Sequence, residues 1–401
     1  MKRFKLAFAI CLILITIANL PLINSEAQAN DAVYVTSVKW SHDGSQIAAV
    51  GIQSQGEKGF INIINTRDGQ TIYKLEPSPG GFASVTWSPD DRFIAVGGYD
   101  QAIWIINIQE EQVVTTLYGH MATVITLDWS ADGTRLVSGG ATDRQVILWD
   151  MTTYEEIIRV ETGDPWSVSF SPNDQQIAVG GLGGLRVFPA SLQVGEGREQ
   201  KQFTLSERYI GALAWSPDGT RIVFGTQAFT SKSAQIYIID ISSGSIVSDY
   251  AAQVETIFGI AWSPDNRLIA TYSSDGFINT WEVQTGNLID SFSGTSKYPE
   301  QLTFSPYGGQ LAYGLTIDLI HQTRSNELEM SGVAVVVPDP SLERLEAISA
   351  LCSPQLKTVV TARNFDGTDL PGFIAQVAED ESIPPACAAD LIAVAEAIQD
   401  Q

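Results

Sequence analysis

Short apolar stretches alternate with polar turns along most of this chain, and within the stretches the pattern repeats every two residues. Residues 85–98, VTWSPDDRFIAVGG, place one apolar stretch on each side of the polar segment SPDD. Alternation with period two predicts β-strands, and Pro, Asp and Asn or Gly between two such stretches predict a tight turn. This segment is therefore predicted to be a β-hairpin.

Close variants of this hairpin recur along the chain. An aromatic residue precedes the turn in each of seven copies, at intervals of 41 to 47 residues. These residues are Trp40, Trp87, Trp129, Phe170, Trp215, Trp262 and Phe304. Two further apolar strands follow each hairpin, and self-similarity at this period is typical of propeller blades. The sequence thus predicts an all-β fold, a seven-bladed β-propeller of four-stranded antiparallel blades.

The first strand of each copy has one side of large residues and one side of mostly small residues. Two positions before the aromatic residue the chain has large apolar residues such as Val85 and Leu213. Three positions before it, small residues such as Ser84 and Ala212 predominate. Small side chains are needed where strands from all blades converge, so this strand is predicted to be the innermost one, beside a central channel.

Residues 119–150, GHMATVITLDWSADGTRLVSGGATDRQVILWD, resemble a nearly complete repeat of the WD-repeat family. Gly119 and His120 match the Gly-His pair of that family, and Trp149 and Asp150 match its Trp-Asp pair. The resemblance implies that four buried side chains hydrogen-bond one another as a structural tetrad. At the matching positions this chain has His120, Ser138, Asp143 and Trp149. The implied role is stabilising, because each buried polar group needs a partner.

The resemblance extends over about residues 33–340, although most copies are degenerate. Repeat six keeps Thr271, Asp275 and Trp281 but has no histidine, and repeat two has Ile106 at the tryptophan position. The fold prediction survives this loss. Fewer polar networks are expected to fix the corners of these blades.

The first 29 residues have the pattern of a secretory signal peptide. A basic start, MKRFK, is followed by a short apolar run and by AQA, which ends at Ala29. This pattern predicts cleavage after Ala29 and a secreted, periplasmic or cell-surface protein with no membrane span after cleavage. The propeller domain is then expected to comprise residues 30–340. An uncleaved membrane anchor is the alternative, although the apolar run is short for a span.

The charge of the chain argues against nucleic acid as a partner. Without residues 1–29 the chain has 20 basic and 45 acidic residues. Such a balance is unfavourable for binding phosphate backbones, and dispersed acidity usually means a solvated exterior. We therefore predict no nucleic-acid partner, and it is the resemblance to WD-repeat proteins that implies a protein partner.

Residues 341–401 change to a helical pattern and are predicted to form a small C-terminal extension. LERLEAISALC and CAADLIAVAEAIQ carry apolar residues at helical spacing. Cys352 and Cys387 are the cysteines left after signal cleavage, and in an oxidising compartment they are predicted to form a disulfide. A cap packed against the ring near its closure is favoured over an independent attachment module. SLERLEA, residues 341–347, could instead be the outermost strand of blade seven.

The sequence offers little material for catalysis. Its three histidines are His42, His120 and His321, and only His120 has a structural explanation in the WD resemblance. A metal site, a histidine-based triad, a c-type haem motif, a nucleophile elbow, a P-loop and an EF-hand are all missing from the pattern. We therefore predict no metal, no cofactor and no enzyme activity.

Large aromatic residues near the starts of innermost strands are the candidate partner-binding residues. They are Trp166, Tyr209 and Phe258 at the channel mouth, with Phe229 in a long loop of repeat five. Aromatic side chains at such places can anchor a partner, or they can simply pack between blades. The leading hypothesis is a non-catalytic extracytoplasmic scaffold for protein interaction. The alternatives are an enzyme or carbohydrate-binding propeller that uses the channel mouth, and a sensor whose partner docks on the tail.

Overall fold

The structure is a computed structural model, and the parts of the chain it describes lie within one compact unit, Asp31–Gln401. The described residues are 33–53, 58–191, 201–203, 209–227, 234–253, 256–293, 302–314, 316–317, 328–330, 333–338, 345, 347–348, 351–352, 370–380 and 383–399. The predicted signal peptide, residues 1–29, lies outside them.

The described residues form seven antiparallel β-sheets, six with four strands and one with five. Blades one and two comprise β1 (Val33–Trp40), β2 (Gln46–Gln53), β3 (Lys58–Asn65), β4 (Thr71–Pro79), β5 (Phe82–Trp87), β6 (Phe93–Gly98), β7 (Ala102–Asn107) and β8 (Gln112–Tyr118). Blades three and four comprise β9 (Val124–Trp129), β10 (Arg135–Gly140), β11 (Gln145–Asp150), β12 (Glu155–Glu161), β13 (Pro165–Phe170), β14 (Gln176–Gly181), β15 (Gly184–Pro189) and β16 (Lys201–Phe203).

Blades five and six continue the same strand order. Their strands are β17 (Ile210–Trp215), β18 (Arg221–Thr226), β19 (Ala234–Asp240), β20 (Ile246–Gln253), β21 (Ile257–Trp262), β22 (Leu268–Ser273), β23 (Phe277–Glu282) and β24 (Leu288–Ser293). Blade seven has strands of only three or four residues, β25 (Leu302–Phe304), β26 (Leu311–Gly314), β28 (Leu328–Met330) and β29 (Val333–Val336). The predicted propeller of four-stranded blades, with the first strand of each repeat innermost, is confirmed.

The ring closes where blade seven meets blade one. The innermost strand of each blade contacts that of the next, and β25 and β26 contact β1. A two-residue strand, β27 (Thr316–Ile317), leaves blade seven and pairs with Val33 and Tyr34 of β1. Blade one therefore has five strands instead of the predicted four, because the chain after β26 crosses to its inner edge.

Blade seven departs from the strand order of the other blades. Its sheet order is β25, β26, β29 and β28, so the outermost strand precedes the third strand along the chain. The alternative that residues 341–347 form this outermost strand is wrong, since Leu345 and Ala347 have helical backbone. The outermost position is already filled by β28, from the segment inserted within repeat seven.

The hydrophobic core lies between neighbouring blades. One cluster joins Ile61 and Ile63 of blade one to Trp87 and Ile94 of blade two, and similar clusters fill the other junctions. Ala312 of blade seven belongs to the cluster of blade one, so the closing junction is also packed. Full burial of one such side chain stabilises the fold by about 1.5 to 3 kcal/mol, which makes each blade dependent on its neighbours.

The outermost strands of five blades contain a β-bulge near their start. In each case one residue has no partner on the third strand of its blade. The bulged residues are Ile72, Val114, Ile157, Val247 and Ile289. All five are aliphatic and at least partly exposed, so the outer rim of the ring carries an irregular edge in each of these blades.

Tight turns of one type join the first and second strands of all blades, on what we call the lower face. In six of them a serine hydroxyl donates to the side chain of the residue two positions later, at 2.6 to 2.8 Å. The pairs are Ser41–Asp43, Ser88–Asp90, Ser130–Asp132, Ser171–Asn173, Ser216–Asp218 and Ser263–Asp265. The fourth turn residue has a left-handed φ throughout and is always Gly, Asp or Asn, which tolerate it.

These turns should make the protein sensitive to acid. Burial raises the pKa of Asp132, but hydrogen bonds from Ser130 and Thr134 outweigh it and lower that pKa to about 2. The pKa values of Asp43 and Asp218 are lowered for the same reason. A lowered folded-state pKa stabilises the fold above the usual value of 3.8, and this stabilisation is lost as the pH falls through the folded-state value.

We therefore expect the melting temperature to fall as the pH is lowered from about 4 towards 2. Thermal unfolding followed by circular dichroism across this range measures it. Asp132→Asn removes one of the titrating groups and should reduce the slope. A variant with the slope of the unmodified protein would contradict this origin of the acid sensitivity.

The C-terminal extension has a helical core of its own. Its helices are α1 (Leu370–Glu379) and α2 (Pro385–Gln399), and the described residues between 345 and 352 are helical as predicted. Cys352 and Cys387 form a disulfide, and Cys387 is fully buried in an apolar cluster. Tyr307 and Val337 of the last repeat pack against this cluster. No helix formed by the described residues is both long and apolar enough to cross a membrane.

Candidate partner-binding site at the channel mouth

Six of the innermost strands share a β-bulge close to their first residue. We call the face of the ring on which the innermost strands begin the upper face. In six blades one residue of the innermost strand is skipped in the pairing with the second strand. The skipped residues are Thr36, Ala83, Ile125, Trp166, Gly211 and Phe258, all four positions before the aromatic residue of their repeat. The repeat thus places one bulged residue per blade around the mouth of the channel.

The bulge changes the direction of these side chains. Thr36, Ala83, Ile125 and Phe258 are partly exposed, although the residues immediately before and after each of them are buried. Strict alternation would bury one side chain between blades at this point, whereas a bulge re-aims it. These bulged residues, like Trp166, thus have partly exposed side chains near the mouth of the channel.

Three consecutive blades contribute the predicted aromatic residues to this mouth. Trp166 and Phe258 are the bulged residues of blades four and six, and Tyr209 directly precedes the innermost strand of blade five. The Tyr209 carbonyl accepts a hydrogen bond from the Gln227 amide, at 2.9 Å. The structure therefore places all three on the upper face. Phe229, the fourth predicted residue, lies outside the described residues.

Packing distinguishes Phe258 from Trp166. Phe258 packs against the core cluster between blades six and seven, which includes Tyr272 and Tyr313. Trp166 is partly exposed and belongs to none of the core clusters formed by the described residues. Phe258 thus has a structural role, while Trp166 is the residue that packing explains least.

Charged groups lie close to Trp166 on the same face. Burial raises the pKa of Asp164, and the nearby positive charge of Arg144 opposes this increase. Arg144 also lies 3.5 Å from Glu161 through its guanidinium, and both side chains are more than half exposed. An exposed ion pair of this kind contributes little to stability, so these charges remain accessible to a partner.

The residues that the WD resemblance identified as a tetrad hydrogen-bond one another in blade three. Trp149 Nε1 donates to Ser138 Oγ at 2.8 Å, and Ser138 Oγ lies 2.8 Å from His120 Nε2. His120 Nδ1 lies 2.7 Å from Asp143 Oδ2. A carboxylate only accepts, so Nδ1 donates its proton to Asp143. Burial raises the pKa of Asp143, but the hydrogen bond and charge of His120 outweigh it and lower that pKa.

The tetrad fixes backbone at the upper face as well as the side chains below it. Asp143 accepts hydrogen bonds from the amides of Met121 and Gln145, each at 3.0 Å. Met121 is 78% exposed and Tyr118, on the other side of the Gly-His pair, is 76% exposed. Tyr99, in the turn between β6 and β7 of blade two, is also exposed, and the sequence did not reveal these exposed side chains. The one signal in the sequence for these exposed side chains was that Tyr118 and Met121 flank Gly119 and His120.

The degenerate blades retain only parts of this network. In blade six Trp281 Nε1 donates to Thr271 Oγ1 at 2.9 Å, with no histidine present. In blade two Trp104 Nε1 donates instead to Asp100 at 2.9 Å, because Ile106 occupies the usual tryptophan position. Blade three is thus the blade with the complete tetrad.

The described residues present no group of three or more His, Cys, Asp or Glu side chains that could hold a metal ion. His42 is engaged in a turn contact, since its Nδ1 lies 2.9 Å from Asp91 Oδ1. His321 lies outside the described part of the chain. The arrangement at the channel mouth is suited to binding through aromatic, apolar and exposed charged side chains.

Two family models match this chain. Residues 23–158 match the model of the IFT140 first β-propeller, and residues 244–282 match that of the WD domain, G-beta repeat. These segments cover blades one and two, nearly all of blade three, the outermost strand of blade five and the first three strands of blade six.

Curated relatives are similar over half of the chain or more. WD repeat-containing protein SL1-17 of Schistosoma mansoni is 26% identical over 52% of this chain and 69% of its own length. WD repeat-containing protein slp1 of Schizosaccharomyces pombe is 25% identical over 67% of this chain, and serine-threonine kinase receptor-associated protein of Gallus gallus is 25% identical over 51%. This chain spans about half the length of the latter two. The blade architecture, the tetrad and these similarities identify the chain as a WD-repeat β-propeller protein.

Proposed function

We propose that this protein is a non-catalytic scaffold that binds a protein partner at the channel mouth. The observation that carries the proposal is Trp166, a partly exposed tryptophan at a β-bulge that belongs to none of the core clusters formed by the described residues. Tryptophan is enriched among residues that dominate binding energy at protein interfaces. Tyr209 and Phe258 on the next two blades extend the same surface.

Similarity to other WD-repeat proteins supports the scaffold function. One relative is named as associated with a serine-threonine kinase receptor, which is a statement about that protein. The partner of the present chain is expected to differ, because the side chains at the mouth rather than the fold determine which protein is recognised.

An extracytoplasmic location is part of the proposal. It is supported by the signal-peptide pattern of residues 1–29 and by the disulfide between Cys352 and Cys387. Disulfides persist in oxidising compartments such as the periplasm and the cell exterior. Fractionation of cells that produce the full chain, with the mature N-terminus sequenced, tests this point directly.

Replacing Trp166 by alanine should weaken partner binding by about thirty-fold or more, which is the effect of losing a residue that dominates an interface. A partner captured from envelope extract by the unmodified protein is purified, and its affinity for both proteins is measured by calorimetry. The melting temperature should change little, because Trp166 lies outside the core clusters.

Tyr118→Ala is the matched control, since Tyr118 is an exposed aromatic residue on the upper face of blade two. Equal losses of affinity in the two variants would contradict a dominant role for Trp166 and extend the binding surface to Tyr118. Unchanged affinity of the Trp166 variant would refute the proposal. Binding of oligosaccharide but no protein would favour the carbohydrate-binding alternative.

A further inference from the structure

The lower turn of blade seven lacks the acceptor that the other six turns carry. Tyr307 stands two positions after Ser305, where the other turns have Asp or Asn. The turn is otherwise the same, since Gly308 has the left-handed φ of its counterparts and the Gly308 amide donates to the Ser305 carbonyl at 2.9 Å. The turn of blade seven thus has no acceptor of its own for the Ser305 hydroxyl at the position that Asp or Asn fills in the other six turns.

Asp390 of α2 supplies this acceptor from 85 residues further along the chain. Its Oδ1 accepts a hydrogen bond from Ser305 Oγ at 2.7 Å, and its Oδ2 accepts one from the Tyr307 amide at 3.0 Å. Asp390 is 1% exposed. Buried hydrogen bonds to a charged group are among the stronger ones in proteins, so this contact holds the helix on the turn.

The two hydrogen bonds combine roles that other blades divide between two residues. In blade one, Asp43 accepts from Ser41 Oγ, while Asp91 of the next blade accepts from the amides of His42 and Asp43. Blade three repeats this arrangement with Asp174 of blade four. At blade seven Asp390 acts both as the carboxylate of the turn and as the carboxylate of a neighbouring element.

Two glycines make room for the helix on adjacent blades. A β-carbon on Gly309 would lie 2.7 Å from both the β-carbon and the carbonyl oxygen of Asp390. The other six turns carry a side chain at this position, so a β-carbon is compatible with the turn itself. A β-carbon on Gly44 of blade one would lie 2.6 Å from the β-carbon of Ala386. Helix α2 thus contacts the turns of blades seven and one together.

This position is where the ring closes, beside the blade with the shortest strands. Blade seven has strands of three or four residues, and β27 adds only two residue pairs to β1. Blade seven also forms the junction with blade six, whereas the five remaining junctions join blades whose innermost strands have six to eight residues. A brace across blades seven and one therefore acts beside the blade with the shortest strands.

We propose that the C-terminal extension is an intramolecular clasp that holds the propeller closed, with Asp390 as its locking residue. Helix α2 inserts Asp390 into the lower turn of blade seven and rests against the turn of blade one. The disulfide from Cys387, three residues before Asp390 on the same helix, fixes α2 to the helical segment near Ile348.

The test uses the full mature chain and hydrogen exchange read by mass spectrometry. Asp390→Ala removes the carboxylate, and Gly309→Ala pushes the helix away while leaving Asp390 intact. Both variants should speed exchange at the Tyr307 amide and along β1 and β25 by about tenfold or more, as expected for losing a charge-assisted hydrogen bond. Exchange along β9 of blade three should stay within about twofold of the unmodified protein, because local opening does not reach distant blades.

Glu396→Ala is the matched control, since Glu396 is an exposed carboxylate on the same helix. Adding Tyr307→Asp to the Asp390→Ala variant restores a carboxylate within the turn, and should restore protection in blade seven but not in α2. Unchanged exchange at Tyr307 and β1 in both single variants overturns the proposal. Equal loss of protection in all blades, including β9, also overturns it, because it would indicate a general loss of stability.

Discussion

Replacing Asp143 by alanine should lower the free energy of unfolding by about 3 to 5 kcal/mol, the loss expected when one member of a buried ionic or hydrogen-bonded pair is removed. The side chains of Asp143 and His120 are 3% and 1% exposed, so water cannot replace the lost contact. The change leaves His120 Nδ1 and the Met121 amide without their acceptor. Urea denaturation followed by tryptophan fluorescence measures the loss.

Asp275→Ala in blade six is the control for this experiment. Asp275 holds the corresponding position, but its carboxylate accepts from the Phe277 amide and the blade has no histidine. Its loss should cost about 1 kcal/mol, as for an ordinary turn hydrogen bond. Equal effects of the two substitutions would show that the tetrad adds nothing beyond the turn.

Replacing both Cys352 and Cys387 by alanine should lower the free energy of unfolding of the extension by about 4 kcal/mol, the value the chain-entropy model gives for a loop of this length. The two cysteines are 35 residues apart in sequence. Alanine is used because Cys387 is fully buried among apolar residues, where a serine hydroxyl would need a partner. Limited proteolysis and hydrogen exchange of α1 and α2 measure the effect.

The unmodified protein treated with a dithiol reductant provides the comparison for this variant. Cys352 is partly exposed, so the reductant can attack its sulfur and release Cys387 as a thiol, being itself oxidised to a cyclic disulfide. The reduced protein and the double variant should then show the same protection of the extension. Protection of α1 and α2 equal to that of the oxidised protein in both cases would mean that packing alone holds the extension.

The blades were predictable because one local pattern is repeated. Alternation around Trp87 or Trp215 identifies a hairpin, and its recurrence identifies the ring. The bulges at Thr36 and Trp166 could not be predicted from the sequence. A bulge is a shift in the pairing of two strands, and the residue types of either strand do not show where that shift occurs. Trp166 was therefore identified by its residue type and place, without the backbone feature that exposes it.

The closure of the ring was less accessible to sequence analysis for a different reason. Its contacts join residues far apart in the chain, such as Ser305 with Asp390 and Tyr34 with β27. The sequence did contain a signal, since Tyr307 occupies the position at which the other six turns have Asp or Asn. It showed that the turn lacked its usual acceptor, but α2 has two carboxylates, Asp390 and Glu396, and the pattern did not indicate which one would replace it.

The irregular outer strands have a consequence for how this protein behaves when many copies are crowded together. A strand from another molecule that aligned with β8 or β24 would meet an interrupted ladder at Val114 or Ile289. Unpaired edges are otherwise templates for aggregation, and bulges are one way in which natural sheets block such growth. In the five blades that carry such a bulge, the interrupted ladder thus disfavours association of two molecules through their outer edges.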